Sequence, residues 1–275
     1  MSAHVTFPSR ARRARDAGLR VLLWREYAKP HTPFTVVTRD GVQVRGVHLN
    51  DDHATLLIYC HGFLSGKNYL HIQRWAELLA DDMDVITFDF RGHGESGGAT
   101  TLGENELLDL DAVAQYAQRF GYQRIIVMGS SMGGAVAIRY AADSTRVDGV
   151  ITLGAFAHGR FSIWALSGLG LLQIPLSRAV IRHAYATRIE RARPPYAPRD
   201  FVSQISPRPL LILHGEYDNL IPLSHARALY ANAQEPKQLY VIPRGAHDLE
   251  NLNGQTKQHV LKWMEETFSE KENRT

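Results

Sequence analysis

Apolar residues in this chain recur in two alternating rhythms. Short continuous runs read as strands buried on both faces: Thr55-Leu-Leu-Ile-Tyr-Cys60, Val85-Ile-Thr-Phe-Asp-Phe90, Ile125-Ile-Val-Met128, Gly149-Val-Ile-Thr-Leu153, Pro209-Leu-Leu-Ile-Leu-His214 and Gln238-Leu-Tyr-Val-Ile242. Between them, apolar positions at helical spacing predict helices. One carries Ile72, Trp75, Leu78 and Leu79, a second covers roughly 104–119, and a third starts near Ala135. A fourth lies near 224–233, and the last runs over about 254–268 with Val260, Leu261, Met264 and Phe268 facing in. Strand and helix alternate without internal repeats, which predicts an α/β chain built on a mostly parallel, doubly wound sheet. Ahead of this series, Phe34–Thr38 and Val42–Val47 flank Arg39-Asp40-Gly41. Asp-Gly between two such runs predicts an antiparallel hairpin, placed at a sheet edge.

Two stretches break the rhythm. Residues 9–29 read as a basic helix with Leu19, Leu22, Leu23 and Tyr27 on one side. Its arginines are spread round the helix, so packing on the body is favoured over contact with a membrane surface. From Ala155 to Arg199 the chain is too long for a crossover loop and too apolar for a linker. Phe161, Ile163, Trp164, Leu166, Leu169, Leu171, Leu172 and Ile174 precede the rigid Arg193-Pro-Pro-Tyr-Ala-Pro198. A helical cap over the strand ends is the expectation, with Trp164 and Leu171 against substrate. The organisation is therefore an N-terminal basic segment over 1–30 and a domain over 31–275 with a cap or lid insertion at about 155–200.

The totals exclude several classes. The 275 residues carry a net charge of +3, but residues 1–30 hold seven Lys/Arg against Asp16 and Glu26, leaving 24 basic and 26 acidic residues elsewhere. A body so balanced does not predict a nucleic-acid partner. One cysteine, Cys60, allows no intrachain disulfide and predicts a reducing, cytoplasmic setting. The polar, Arg-rich start predicts no secretory signal, and the uncharged stretch from Phe161 to Ser177 contains Pro175 and is short for a span. No cluster with metal-ligand spacing occurs, so no metal and no cofactor are expected.

The chemistry centres on Gly129-Ser130-Ser131-Met132-Gly133, set between the strand ending at Met128 and the helix that follows. Gly-x-Ser-x-Gly in that context is a nucleophile elbow. The glycines remove side chains that would clash with so tight a turn, and the Met132 N–H opens the helix beside the Ser131 hydroxyl. A serine needs a base, and the base needs an acid to orient it. After the strand ending at His214 comes Gly215-Glu216-Tyr217-Asp218, and after Ile242 comes Pro243-Arg-Gly-Ala-His247-Asp248. The order Ser131, Asp218, His247 is the one such a sheet requires, with Glu216 and Asp248 as fallback acids. A second oxyanion donor besides Met132 N–H is expected from Phe63, where Gly62 lets the backbone approach. Two nucleotide motifs fail. Gly92-His-Gly-Glu-Ser-Gly97 is not followed directly by a helix, and Gly62-Phe-Leu-Ser-Gly-Lys67 is one residue short of a phosphate loop.

These pieces, with Asp89-Phe-Arg-Gly-His-Gly-Glu-Ser96, resemble the α/β-hydrolase superfamily over roughly residues 34–268. The closest branch looks like esterases and lysophospholipases related to monoacylglycerol lipases. The resemblance implies Ser131 as nucleophile, His247 as base, Asp218 as acid, and Phe63 and Met132 as oxyanion donors. Ser130 departs from many relatives, which carry histidine there. The expected activity is hydrolysis of a small-molecule carboxylic ester through an acyl-serine. A thioesterase or acyltransferase on the same acyl-enzyme, or a binding protein on this fold, are the alternatives, and the oligomeric state is open.

Overall fold

The structure, a computed structural model, describes residues 24–159, 175–191, 194–247 and 251–272. Among them, eight strands form one sheet in the order β1-β2-β4-β3-β5-β6-β7-β8. These are β1 (Thr32–Val37), β2 (Gln43–Leu49), β3 (Thr55–Cys60), β4 (Asp84–Phe88), β5 (Arg124–Ser130), β6 (Gly149–Leu153), β7 (Leu210–Gly215) and β8 (Lys237–Ile242). The hairpin β1–β2 is antiparallel and β2 lies antiparallel to β4; every pairing from β4 to β8 is parallel. Pro33 is tolerated because β1 is the edge strand, where an absent N–H breaks no ladder.

Alternation along the strands divides the core between the two faces. Leu56, Ile58 and Cys60 of β3 and Ile125 and Val127 of β5 join one cluster. It is completed by helices α2 (Glu106–Ala117), α3 (Met132–Asp143) and α5 (Ser224–Asn232). Leu57, Tyr59, Ile126 and Met128 point to the other face, against α1 (Leu70–Leu79) and α6 (Gly254–Glu272). Helix α4 (Pro175–Tyr185) lies within the stretch expected to form a cap. Trp164 and Leu171, with the other apolar residues from Phe161 to Ile174, lie outside the described residues.

Chain order reverses at β3, which has β4 on one side and β5 on the other. The loops leaving β3 and β5 therefore diverge, and a crevice opens at the carboxyl ends of these strands.

The basic segment departs from expectation where it is described. Residues 24–29 are extended and bent, with Trp24 bridging Tyr69, so the predicted helix does not reach its last turn. Tertiary partners take the backbone groups a helix would use. Arg25 N–H donates to Asn68 O at 2.7 Å, and the Ala28 and Lys29 N–H groups donate to Glu77 Oε1. Tyr27 is buried against the body, as packing predicts, whereas Leu19, Leu22 and Leu23 lie outside the described residues.

Candidate active site

Ser131 sits between β5 and α3 with φ 50° and ψ −115°, a conformation that a non-glycine residue adopts only under constraint from its surroundings. The glycines two positions away supply the room. A Cβ on Gly129 would overlap the Gly133 carbonyl, and one on Gly133 would overlap the carbonyl of Cys60 at the end of β3. Ser131 N–H donates to Leu153 O at 2.8 Å, and Ser131 O accepts from Ala135 N–H as the helix begins. Met132 N–H opens α3, where no preceding turn offers it a carbonyl. Ser130 is buried and its hydroxyl pairs with the Tyr59 hydroxyl, whereas Ser131 is half-buried. Of the two serines, Ser131 is the one presented to the crevice.

Strand order brings the other two candidates to the same end of the sheet as Ser131. β6 separates β5 from β7, and its last residues touch both neighbours. Leu153 O holds Ser131 N–H, and Gly154 N–H donates to Leu213 O of β7 at 3.0 Å. Gly154 has φ +58°, and a Cβ there would stand 3.3 Å from His247 Nδ1 and 3.5 Å from Asp218 Oδ2. His247 Nδ1–H donates to Asp218 Oδ2 at 2.6 Å, which leaves Nε2 as the basic nitrogen. The other carboxylate oxygen, Oδ1, accepts Leu220 N–H at 3.0 Å and Ile221 N–H at 2.7 Å. The Asp218 side chain is fully buried and that of His247 is partly open.

Two residues here escaped the sequence reading. Gly154 carries no motif of its own; its role depends on β6 lying between β5 and β7. His214 is buried on β7 with Nε2 at 2.8 Å from Ile221 O and 3.5 Å from Asp218 Oδ2. Since a carbonyl only accepts, His214 carries its proton on Nε2, and burial lowers its pKa. It braces the turn whose amides hold Asp218.

Glu216, a fallback acid, is exposed and accepts Arg244 N–H at 2.9 Å, away from His247 Nδ1. Asp248, the other, lies outside the described residues.

The loop after β3 carries Phe63, half-buried, its ring edge-on to His93 at 5.9 Å. Register brings this loop to the elbow: Cys60 pairs with Gly129, and the Gly133 Cα abuts the Cys60 and His61 carbonyls. His61 fixes the start of the loop. Its Nε2 accepts Phe90 N–H at 3.0 Å, so its Nδ1–H donates to Gly62 O at 2.7 Å. Burial, reinforced by His93 close by, pushes the His61 pKa down to about 3. Among the described residues no group of three or more His, Cys, Asp or Glu could hold a metal ion.

A family model described as the alpha/beta hydrolase fold matches residues 55–166, the stretch that holds β3 through β6 and the elbow. The uncharacterized protein YfhR of Escherichia coli is 28% identical over 221 residues, spanning 76% of this chain and 70% of that protein. The uncharacterized protein YqkD of Bacillus subtilis is 29% identical over 230 residues, with 78% and 72% covered. Among solved structures, a Pyrococcus furiosus esterase superposes with a TM-score of 0.72 at 22% identity, covering 87% of this chain and 92% of its own. At that identity the likeness speaks for the fold.

Proposed function

For this chain, which has the α/β-hydrolase fold, we propose a cofactor-independent serine hydrolase acting on carboxylic esters. The observation that carries the reading is the 2.6 Å contact between Asp218 Oδ2 and His247 Nδ1, at the same end of the sheet as a serine on a turn with φ 50°. In this reading His247 Nε2 takes the Ser131 proton as Oγ attacks the acyl carbon. Asp218, buried and held by two backbone amides, keeps the imidazole in the required tautomer and offsets the charge of the imidazolium. Negative charge on the carbonyl oxygen is met by the N–H groups of Met132 and Phe63. The alcohol leaves with the proton from His247, and water, deprotonated by the same nitrogen, releases the acid from acyl-Ser131. In this reading the insertion over 155–200, to whose sequence Trp164 and Leu171 belong, selects the acyl group, and the lone buried Cys60 supports a reducing compartment.

A fluorophosphonate probe should label Ser131, and Ser131→Ala should abolish both labelling and hydrolysis of p-nitrophenyl esters taken over increasing acyl length. Labelling that survives in Ser131→Ala and vanishes in Ser130→Ala overturns the assignment.

A further inference from the structure

Residues Trp24 to Lys29 precede the sheet and lie outside the stretch matched by the family model. They run along the far end of the loop that carries Phe63. Arg25 N–H donates to Asn68 O at 2.7 Å, and Asn68 Nδ2–H returns a bond to Arg25 O at 2.9 Å. The Tyr27 hydroxyl donates to Lys67 O at 2.6 Å and meets Thr87 Oγ1 of β4 at 2.7 Å. Trp24 bridges Tyr69, and its ring faces Lys67 Nζ at 5.5 Å.

Lys67, which receives these contacts, is buried and tied on every polar atom. Its ammonium meets Asp89 Oδ2 at 2.8 Å and Glu95 Oε2 at 2.7 Å, and its N–H donates to Asp89 Oδ1 at 2.8 Å. A buried ammonium is stable only when its partners stay put, so Lys67 cannot drift without breaking several charged contacts together. Between the anchors, Leu64 has φ 60°, and a Cβ on Gly66 would stand 2.9 Å from Asp89 Oδ1. The loop is short and tight. His61 fixes one end, Lys67 and Asn68 fix the other, and Phe63 lies between.

We propose that Trp24–Tyr27 is a strap that positions the oxyanion site: by holding Lys67 and Asn68 it sets where the Phe63 N–H points. The proposal rests on the reading of Phe63 as an oxyanion donor. Such donors act only when placed within about half an ångström of the developing charge, and losing one costs on the order of 10²–10³ in kcat. A loosened donor should lose part of that, with substrate binding little changed.

The test is Tyr27→Phe, which removes one hydroxyl and keeps the ring. We expect kcat to fall roughly tenfold with KM within about twofold, and amide hydrogen exchange to rise across residues 61–68. Tyr122→Phe is the control. It removes a hydroxyl bonded to Asp84 Oδ2 at 2.7 Å, just ahead of β5 and so at the opposite end of the sheet. It should lower thermal stability and leave kcat unchanged. If Tyr27→Phe folds poorly, Trp24→Ala should give the same kcat-selective loss. Wild-type kcat in a folded strap variant, or an equal kcat loss in Tyr122→Phe, overturns the strap. A wild-type chain that neither hydrolyses esters nor takes up a fluorophosphonate overturns the serine-hydrolase reading instead, and the positioning role with it, while the exchange data still report whether the strap holds the loop.

Discussion

Asp218 divides its work between two oxygens. Oδ1 is held by the Leu220 and Ile221 amides, and Oδ2 faces His247. An asparagine can keep the first set of bonds with its amide oxygen, but it then presents N–H groups to the imidazole and enforces the other tautomer. Asp218→Asn should therefore fold normally and lose on the order of 10⁴ in kcat. Glu216→Gln should stay near wild type, because the Glu216 carboxylate engages Arg244 N–H on the exposed side of the turn. Steady-state kinetics on the two variants checks this, and a dead Glu216→Gln beside an active Asp218→Asn would mean the acid was misassigned. Both carboxylates were legible in the sequence as candidates. The choice between them depends on which way each side chain leaves a four-residue turn, and residue spacing carries no such information. His214 escaped for a related reason: a histidine closing an apolar run looks like core until its neighbour across the turn is known.

At the level of elements, the elbow is a contact between backbones. Where Gly133 passes Cys60 there is no space for a methyl group, and Gly129 faces the same crowding from within its own turn. Gly133→Ala must push α3 away from β3, which should cost about 1–3 kcal/mol or more in stability and remove activity. Gly121 offers the comparison. It has φ +71°, and a Cβ added there would meet nothing within 4 Å, so Gly121→Ala should cost about 1–2 kcal/mol from backbone strain and leave turnover intact. Thermal melts with parallel rates separate the two costs. Elements were also where the pattern spoke most clearly. Thr55–Cys60 and Gly149–Leu153 are strands over the residues expected, because unbroken apolar runs this short have no amphipathic alternative. The last turn of the basic segment was misread because Glu77, Lys67 and Asn68, remote in sequence, capture its polar groups.

Over the whole molecule, burial of histidine couples stability to pH. Burial holds His61 down to about 3 and His93 and His71 to about 4, and it also lowers His48 and His214. In the unfolded chain these groups titrate near 6.5, so on acidification the unfolded state takes up protons first. The stability gained by keeping them neutral is whole above about pH 6.5 and is lost as pH falls toward their folded values. For His61 and again for His93 the loss is on the order of 2 kcal/mol at pH 5. Asp84 and Asp89, held below the ordinary carboxylate range, are ionised in both states over this interval and add no slope, whereas Asp109, raised by burial to about 7, takes up its proton in the folded state and offsets part of the loss. Melting temperatures at pH 7, 6 and 5 should fall steadily, and a flat profile would show that these rings are not sealed from water. Strand order, which sets β6 between serine and acid, was the whole-molecule fact that periodicity could not supply. It has a last consequence through Cys60. The chain's single thiol is sealed inside β3, beneath the elbow, and burial raises its pKa well above the ordinary range. A disulfide reagent in solution reaches it only when β3 parts from the layers around it, so the rate of thiol capture counts those partings. The protein carries, at the centre of its own sheet, a reporter of that opening.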